Sequence, residues 1–244
     1  MSELSQNLPQ LLRRRAVAEA ESTAFVFLLD GESDVLAYSY ADLDRRARTV
    51  GAFLDTNTEP GARVVLAFPF SPLFSDAFFG CMYGRRIAVP TPASNLETDG
   101  ARIRAAAADC GAQMVLCRQQ DSDDLRAAVP GIPVVALEEI SEAPVGWNPT
   151  DPDCNDTAFL QYTSGSTSAP KGVMVSHGAL MENLAYCRFV NQLTASSAIM
   201  SWLPHFFDMA LVAVICLGPY SGCPVIQLAP VHFVQRPIRW LRAI

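Results

Sequence analysis

The segment Phe159-Leu160-Gln161-Tyr162-Thr163-Ser164-Gly165-Ser166-Thr167-Ser168-Ala169-Pro170-Lys171-Gly172-Val173 decides how this chain is read. An apolar run leads into small and hydroxylated residues, and after Pro170-Lys171-Gly172 the chain turns apolar again. Residues 158–162 and 172–175 read as strands, with a loop over residues 163–172 between them. Consecutive small residues let backbone N–H groups approach an anion closely. Thr163, Ser164, Ser166 and Thr167 add hydroxyl donors, and Lys171 adds a point charge suited to phosphate. Such a set can hold the β- and γ-phosphates of a nucleotide while a leaving pyrophosphate gains charge. A solvated Ser/Thr/Gly turn has the same composition, so composition alone leaves both readings open. The loop is not a Walker loop: Lys171 stands six residues after Gly165 and is followed by Gly172 rather than Ser or Thr.

Outward from the loop, helix and strand signals alternate. Leu8, Leu11 and Leu12 begin an amphipathic helix, and residues 24–29 form a strand-like run. Tyr40, Leu43, Ala47, Val50 and Leu54 recur at steps of three and four and make one apolar helix face, with Ser39 placed as its N-cap. Residues 63–68 form a buried strand candidate, and Ser71-Pro72 gives a cap and a Pro at the start of a helix through Phe78, Phe79 and Met82. Further strands are expected at 87–89, 113–117, 134–137, 199–203 and 224–228, and further helices at 101–110 and 180–190. Short apolar strands between helices predict an α/β fold of layered, largely parallel sheets with helices on both faces. Residues 141–156, rich in Pro, Asp and Asn, are the best candidate for a linker or sub-domain division. Residues 235–244 read as the opening turns of an amphipathic helix with Ile238, Leu241 and Ile244 on one face; the pattern stops in mid-helix, as expected of a piece of a longer protein.

Composition narrows the class. The chain has 244 residues, 50% of them hydrophobic and 18% charged, with a net charge of −7. This is globular, and an acidic chain without a Lys/Arg run of the kind that marks a nucleic-acid surface is not expected to bind nucleic acid. Seven cysteines without a CxxC pair argue against a zinc site or a disulfide framework and read mostly as small core residues in a reducing, cytoplasmic compartment. The N-terminus lacks signal-peptide order, and the longest apolar run, residues 210–217, falls short of the roughly 17–25 residues that span a membrane. His177 reads as a helix start. His205 and His232 lack Cys or acidic partners at metal spacing, so no metal ligand is assigned, and no GxSxG elbow is present.

The sixteen residues YTSGSTSAPKGVMVSH, 162–177, resemble the signature loop of the acyl-adenylate-forming, AMP-binding superfamily. Thr163 to Thr167 match its hydroxyl–glycine core, and Pro170, Lys171 and Gly172 match its tail; Ser168 stands where a glycine is usual. Residues 38–54 resemble a helical segment of the same superfamily. GCMYGRRIAVP (80–90), SWLPHFFDMAL (201–211) and HFVQRPIRWLRAI (232–244) resemble segments of fatty acyl-AMP ligases, so the likeness covers essentially the whole chain. Phe207 stands where those ligases usually carry His, and Ala210 replaces a glycine.

The resemblance implies that the chain is the N-terminal part of a large AMP-binding domain without its C-terminal domain. It implies ATP-dependent activation of a fatty acid to acyl-AMP, with pyrophosphate released and the acyl group passed to an acyl carrier protein or polyketide synthase. The nucleotide contacts would fall on Thr163, Ser164, Gly165, Ser166, Thr167, Lys171 and Gly172, with Lys171 the catalytic charge. The acyl substrate would lie beside Phe206, Phe207, Asp208 and Met209. Read without the resemblance, that aromatic segment is an ordinary core face. The magnesium (Mg) ligand, the adenine and ribose contacts and the ligase-specific insertion are implied to lie beyond Ile244, so residues 1–244 alone are expected to be incomplete. The alternatives are a non-catalytic nucleotide- or acyl-binding module and an acyl-CoA synthetase. Acyl chain length, carrier and oligomeric state are not legible.

Overall fold

The computed structural model describes residues 6–163 and 171–243, and the chain divides into two compact units, one of Met1–Arg45 with Gly178–Ile244, the other of Arg46–His177. In chain order the strands are β1 (Thr23–Leu28), β2 (Val35–Ser39), β3 (Arg63–Ala67), β4 (Ile87–Thr91), β5 (Met114–Cys117), β6 (Val134–Ala136), β7 (Thr157–Thr163), β8 (Lys171–Ser176), β9 (Ile199–Ser201) and β10 (Val225–Leu228). The first five helices longer than a single turn are α1 (Leu8–Ala18), α2 (Tyr40–Asn57), α3 (Leu73–Tyr83), α4 (Leu96–Cys110) and α5 (Ser122–Ala128), and α6 is His177–Val190.

The second unit carries a six-stranded sheet in the order β6-β5-β3-β4-β7-β8. All its neighbours run parallel except β7 and β8, which are antiparallel. The exception follows from length: a seven-residue connection is too short for the crossover that parallel neighbours need. Strand β3 is central, and Val64, Val65, Leu66 and Ala67 are fully buried. Helices cover both faces of this sheet. Val65, Val89, Val115 and Leu160 pack with Ile103 and Ala107 of α4 and Leu125 of α5. On the opposite side of the pleat, Phe159 meets Phe78 of α3 at 5.8 Å between ring centres. Residues 74–83 of α3 are all buried, as expected of a helix that is apolar all round.

Residues 141–156 are not a free tether. They lie inside the second unit. The Trp147 indole N–H donates to Asp55 Oδ2 at 3.0 Å, and Arg48 donates to the Trp147 carbonyl at 3.2 Å. A Cβ on Gly51 would come within 2.8 Å of the Trp147 ring, so Gly51 makes the groove that the indole fills. Buried Arg86 braces the same region through Asp55, Thr58 and the Gly84 carbonyl.

The first unit carries a four-stranded sheet in the order β2-β1-β10-β9, parallel except for the β1–β2 hairpin. Strand β2 escapes the periodicity reading. It is an edge strand, its alternation is weak, and it runs directly into α2. Its hairpin loop is organised by Asp30, whose carboxylate accepts from the backbone N–H groups of Glu32, Ser33 and Asp34. Those three donors hold the Asp30 carboxyl well below its usual range, the Glu32 N–H contributing most. Ser39 caps α2 as expected: its hydroxyl accepts from Asp42 N, and the Asp42 carboxylate accepts from Ser39 N.

The C-terminal pattern resolves differently from one helix over residues 235–244. Pro230–Gln235 and Ile238–Arg242 are separate short helices, with Arg236 non-helical between them at φ −154° and ψ 84°. Pro237 disfavours a helical conformation at the residue before it, which is the physical reason for the break. Of the cysteines, Cys81, Cys117, Cys216 and Cys223 are buried and Cys154 is exposed; all seven are free. Among the described residues, no helix is long and apolar enough to cross a membrane.

Candidate active site

In the second unit, β7 and β8 form an antiparallel pair whose last two rungs are Tyr162↔Gly172 and Thr163↔Lys171. Thr163 and Lys171 are thus set opposite each other by ladder geometry, and Gly172 is one residue in from that end. Ser164, Gly165, Ser166 and Thr167 lie outside the described residues. Lys171 is exposed. A charge exposed at a strand end can meet an anion without a desolvation penalty having been imposed on it by folding.

The other end of this hairpin is closed by backbone. His177 N donates to the Asp156 carbonyl at 3.0 Å, and Thr157 is in register with Ser176. Arg85 reaches the Asp156 carboxylate at 3.2 Å. His177 opens α6, as its position after a strand suggests, and is 2% exposed. Burial pushes its pKa down to about 4, opposed only partly by the Asp156 charge, so the ring is neutral in the native fold at ordinary pH.

Tyr162 is the residue that the sequence reading quoted but did not single out. Its phenol donates to Asp109 Oδ2 at 2.5 Å, with the Ala106 carbonyl at 3.3 Å as a second acceptor. Both partners belong to α4. The ring also covers the strand opposite: a Cβ on Gly172 would stand 3.1 Å from Tyr162 Cζ. The glycine at 172 therefore has a packing reason in addition to any contact its N–H makes.

In the first unit, β9 ends at Ser201, whose hydroxyl accepts from Leu203 N at 3.1 Å. A turn from Pro204 to Phe207 follows, closed by Phe207 N donating to the Pro204 carbonyl at 3.1 Å. Phe207, extended at φ −81° and ψ 144°, precedes a helical turn at Asp208–Ala210, which continues as a π-helical stretch Leu211–Cys216 and an α-helical one Leu217–Ser221. Phe206 is half-buried, its ring 4.7 Å from that of Phe207. Phe207 is 50% exposed and Met209 64% exposed, and Asp208 is exposed as well. Only Ala210, fully buried, belongs to the interior. The ordinary-core reading of Phe207 and Met209 does not hold in this chain. A π-helical stretch is uncommon and recurs at functional sites.

Comparison with known proteins places these features in context. A family model described as AMP-binding enzyme matches residues 12–244. A medium-chain fatty acid–acyl-carrier-protein ligase of Moorena producens, JamA, is 33% identical over 97% of this chain and 42% of its own length. A long-chain fatty acid–AMP ligase of Mycobacterium tuberculosis, FadD23, is 31% identical over 98% of this chain and 44% of its own. Among solved structures, a fatty acid AMP ligase from Legionella pneumophila superposes with a TM-score of 0.90 at 34% identity, over 98% of this chain and 42% of that one. A fatty acyl-adenylate ligase of L. pneumophila in complex with acyl adenylate and pyrophosphate gives 0.87 at 33% identity. The chain spans under half the length of each of these relatives.

Proposed function

The chain belongs to the AMP-binding enzyme family and corresponds to an N-terminal portion of the fatty acyl-AMP ligases; on that premise we propose that the protein it represents activates a fatty acid with ATP. The carboxylate oxygen attacks the α-phosphorus, the bond to the bridging oxygen breaks, and pyrophosphate leaves as acyl-AMP forms. The chain's part is to bind and neutralise the leaving group. Lys171 meets the phosphates as a charge, and Thr163, Ser164, Gly165, Ser166, Thr167 and Gly172 supply hydroxyl and backbone donors around them. Phe206, Phe207, Asp208 and Met209 face the acyl group. The acyl group then passes to an acyl carrier protein or polyketide synthase, a partner class supported by JamA's being a ligase for such a carrier.

The observation that carries this reading is the register of the hairpin. Thr163 and Lys171, which flank the hydroxyl–glycine stretch of the sequence, are ladder partners at the end of β7 and β8, in a chain similar to a ligase known with acyl adenylate and pyrophosphate bound. Among the described residues no group of three or more His, Cys, Asp or Glu side chains is placed to hold a metal. Residues 1–244 span under half the length of the relatives they match, so the reaction is proposed for the whole protein. The test is to incubate the full-length protein with ATP and fatty acids of graded length, and to measure pyrophosphate release and acyl-AMP. A protein that binds ATP yet makes neither product with any chain length overturns the proposal.

A further inference from the structure

We infer that Tyr162 and Asp109 form a positioning pair that holds the two ends of the phosphate loop in place, Tyr162 acting through Thr163 and Lys171 rather than by touching the nucleotide. The inference rests on the phosphate-loop reading of residues 163–172 given above. The described backbone on either side of residues 164–170 ends in two rungs of the β7–β8 ladder. The last rung is Thr163↔Lys171, and the one behind it is Tyr162↔Gly172.

That rung is held from three sides. The Tyr162 ring packs against the core of Val65, Val89, Ile103 and Val115. Its far edge lies over Gly172, where a Cβ would approach Cζ to 3.1 Å and Cε2 to 3.3 Å. Its hydroxyl donates to Asp109 on α4 at 2.5 Å. A single side chain thus ties helix, core and both strands at the point where the loop begins.

Asp109 itself is poorly placed for stability. It is exposed in the last turn of α4, which ends at Cys110, where a carboxylate opposes the negative end of the helix dipole. A residue chosen for the helix alone would not be acidic there. The hydrogen bond to Tyr162 supplies the reason for it, and this separates a positioning role from a scaffold role. Removing Asp109 relieves an unfavourable helix-end charge while loosening the loop.

The experiment uses the full-length protein with Tyr162→Phe, Asp109→Ala and the double variant. Calorimetric titration with ATP, pyrophosphate and AMP is combined with thermal unfolding, and with kcat and KM for ATP and fatty acid where turnover is seen. One neutral-to-charged hydrogen bond commonly changes an equilibrium by about ten- to a hundredfold at most and a neutral one by about two- to tenfold. We expect ATP and pyrophosphate to bind about three- to twentyfold more weakly in each single variant, on that scale. The double variant should be no worse than either single, because both lose one bond. AMP, which carries no β- or γ-phosphate, and the KM for fatty acid should change less than twofold, and Asp109→Ala should unfold at the wild-type temperature or above. Equal losses for AMP and ATP, a fall in unfolding temperature that tracks the affinity loss, or unchanged ATP and pyrophosphate affinity would each overturn the inference. Because binding is read separately from turnover, an inactive wild type refutes the adenylation proposal and leaves this test intact.

Discussion

The same substitution, glycine to alanine in a buried helix, is expected to act with opposite sign at two places in the second unit. Gly80 lies in α3 where it crosses α2. A Cβ there would stand 2.4 Å from Val50 Cβ and 2.6 Å from Val50 Cγ1, with the Ala47 carbonyl at 3.3 Å. Val50 Cβ is fixed to the backbone, so no rotamer change relieves the contact; the helices must move apart by roughly 1 Å to restore ordinary carbon–carbon separation. Forced overpacking of this kind costs about 1–3 kcal/mol, and the gain in helix propensity returns only about 0.8–1 kcal/mol. Gly80→Ala should therefore lose up to roughly 2 kcal/mol net. Gly100 lies in α4 at an ordinary helical φ, and a Cβ there meets only Ala128 Cβ at 3.5 Å. Gly100→Ala keeps the propensity gain, about 0.5–1 kcal/mol. Thermal and urea unfolding of the two variants gives the answer, at roughly 2–4 °C per kcal/mol for a domain of this size. Pairing with Val50 variants sharpens it: Val50→Ala retains the 2.4 Å Cβ contact and should not rescue Gly80→Ala, whereas Val50→Gly removes it. A Gly80→Ala protein as stable as wild type, or a Gly100→Ala protein less stable, would refute the packing account of both sites.

Three further outcomes follow from the same structure. Lys171→Ala and Thr163→Ala in the full-length protein should weaken ATP use about ten- to a hundredfold, the scale of a charge-assisted contact, with fatty-acid binding unchanged; steady-state kinetics with each substrate varied will show whether the loss is confined to ATP. The folded-state pKa of His177, lowered by burial to about 4 from 6.5, means the unfolded chain takes up a proton on it before the native chain does. Its contribution to stability is therefore present above pH 6.5 and falls as pH drops towards 4, by up to about 3 kcal/mol. His177→Gln should flatten that part of the stability–pH curve, and an unchanged slope between pH 6.5 and 4 would show that the ring is not the titrating group. Trp147→Ala removes the hydrogen bond to Asp55 and the ring that fills the Gly51 groove; limited proteolysis should then cut within residues 141–156 several-fold faster, and unchanged cutting would mean that other contacts hold the stretch.

Much of this was legible in local sequence because it depends on residues a few positions apart. The α2 face of Tyr40, Leu43, Ala47, Val50 and Leu54 is buried at every position, and the Ser39 cap needs only its neighbour Asp42. The two strands that end at Thr163 and begin at Lys171 are likewise local, since their apolar runs lie in one short segment. Features that depended on distant partners were missed or misread. The 141–156 stretch has a linker's composition, yet Trp147 finds Asp55 and Gly51 far away in sequence. Phe207 and Met209 have core-like chemistry and spacing but are exposed. Asp109 offered one faint signal, an acid at the wrong end of a helix, and its meaning depends on Tyr162 arriving beside it.

The sequence by itself determined most of the element types, the largely parallel character of the sheets and which side chains stand between Thr163 and Gly172. Each of these is set by periodicity, turn residues and side-chain type within a dozen positions, where backbone geometry leaves few choices. Only the tertiary structure decided which strands pair: β1 with β10 from the opposite end of the chain, β4 with β7, and one antiparallel edge on each sheet. It also decided that the first unit is assembled from two separate stretches of chain, and that Tyr162 hydrogen-bonds to Asp109. Pairing of that kind is selected by burial summed over the whole fold against the entropy of closing long loops, and no local pattern carries that sum.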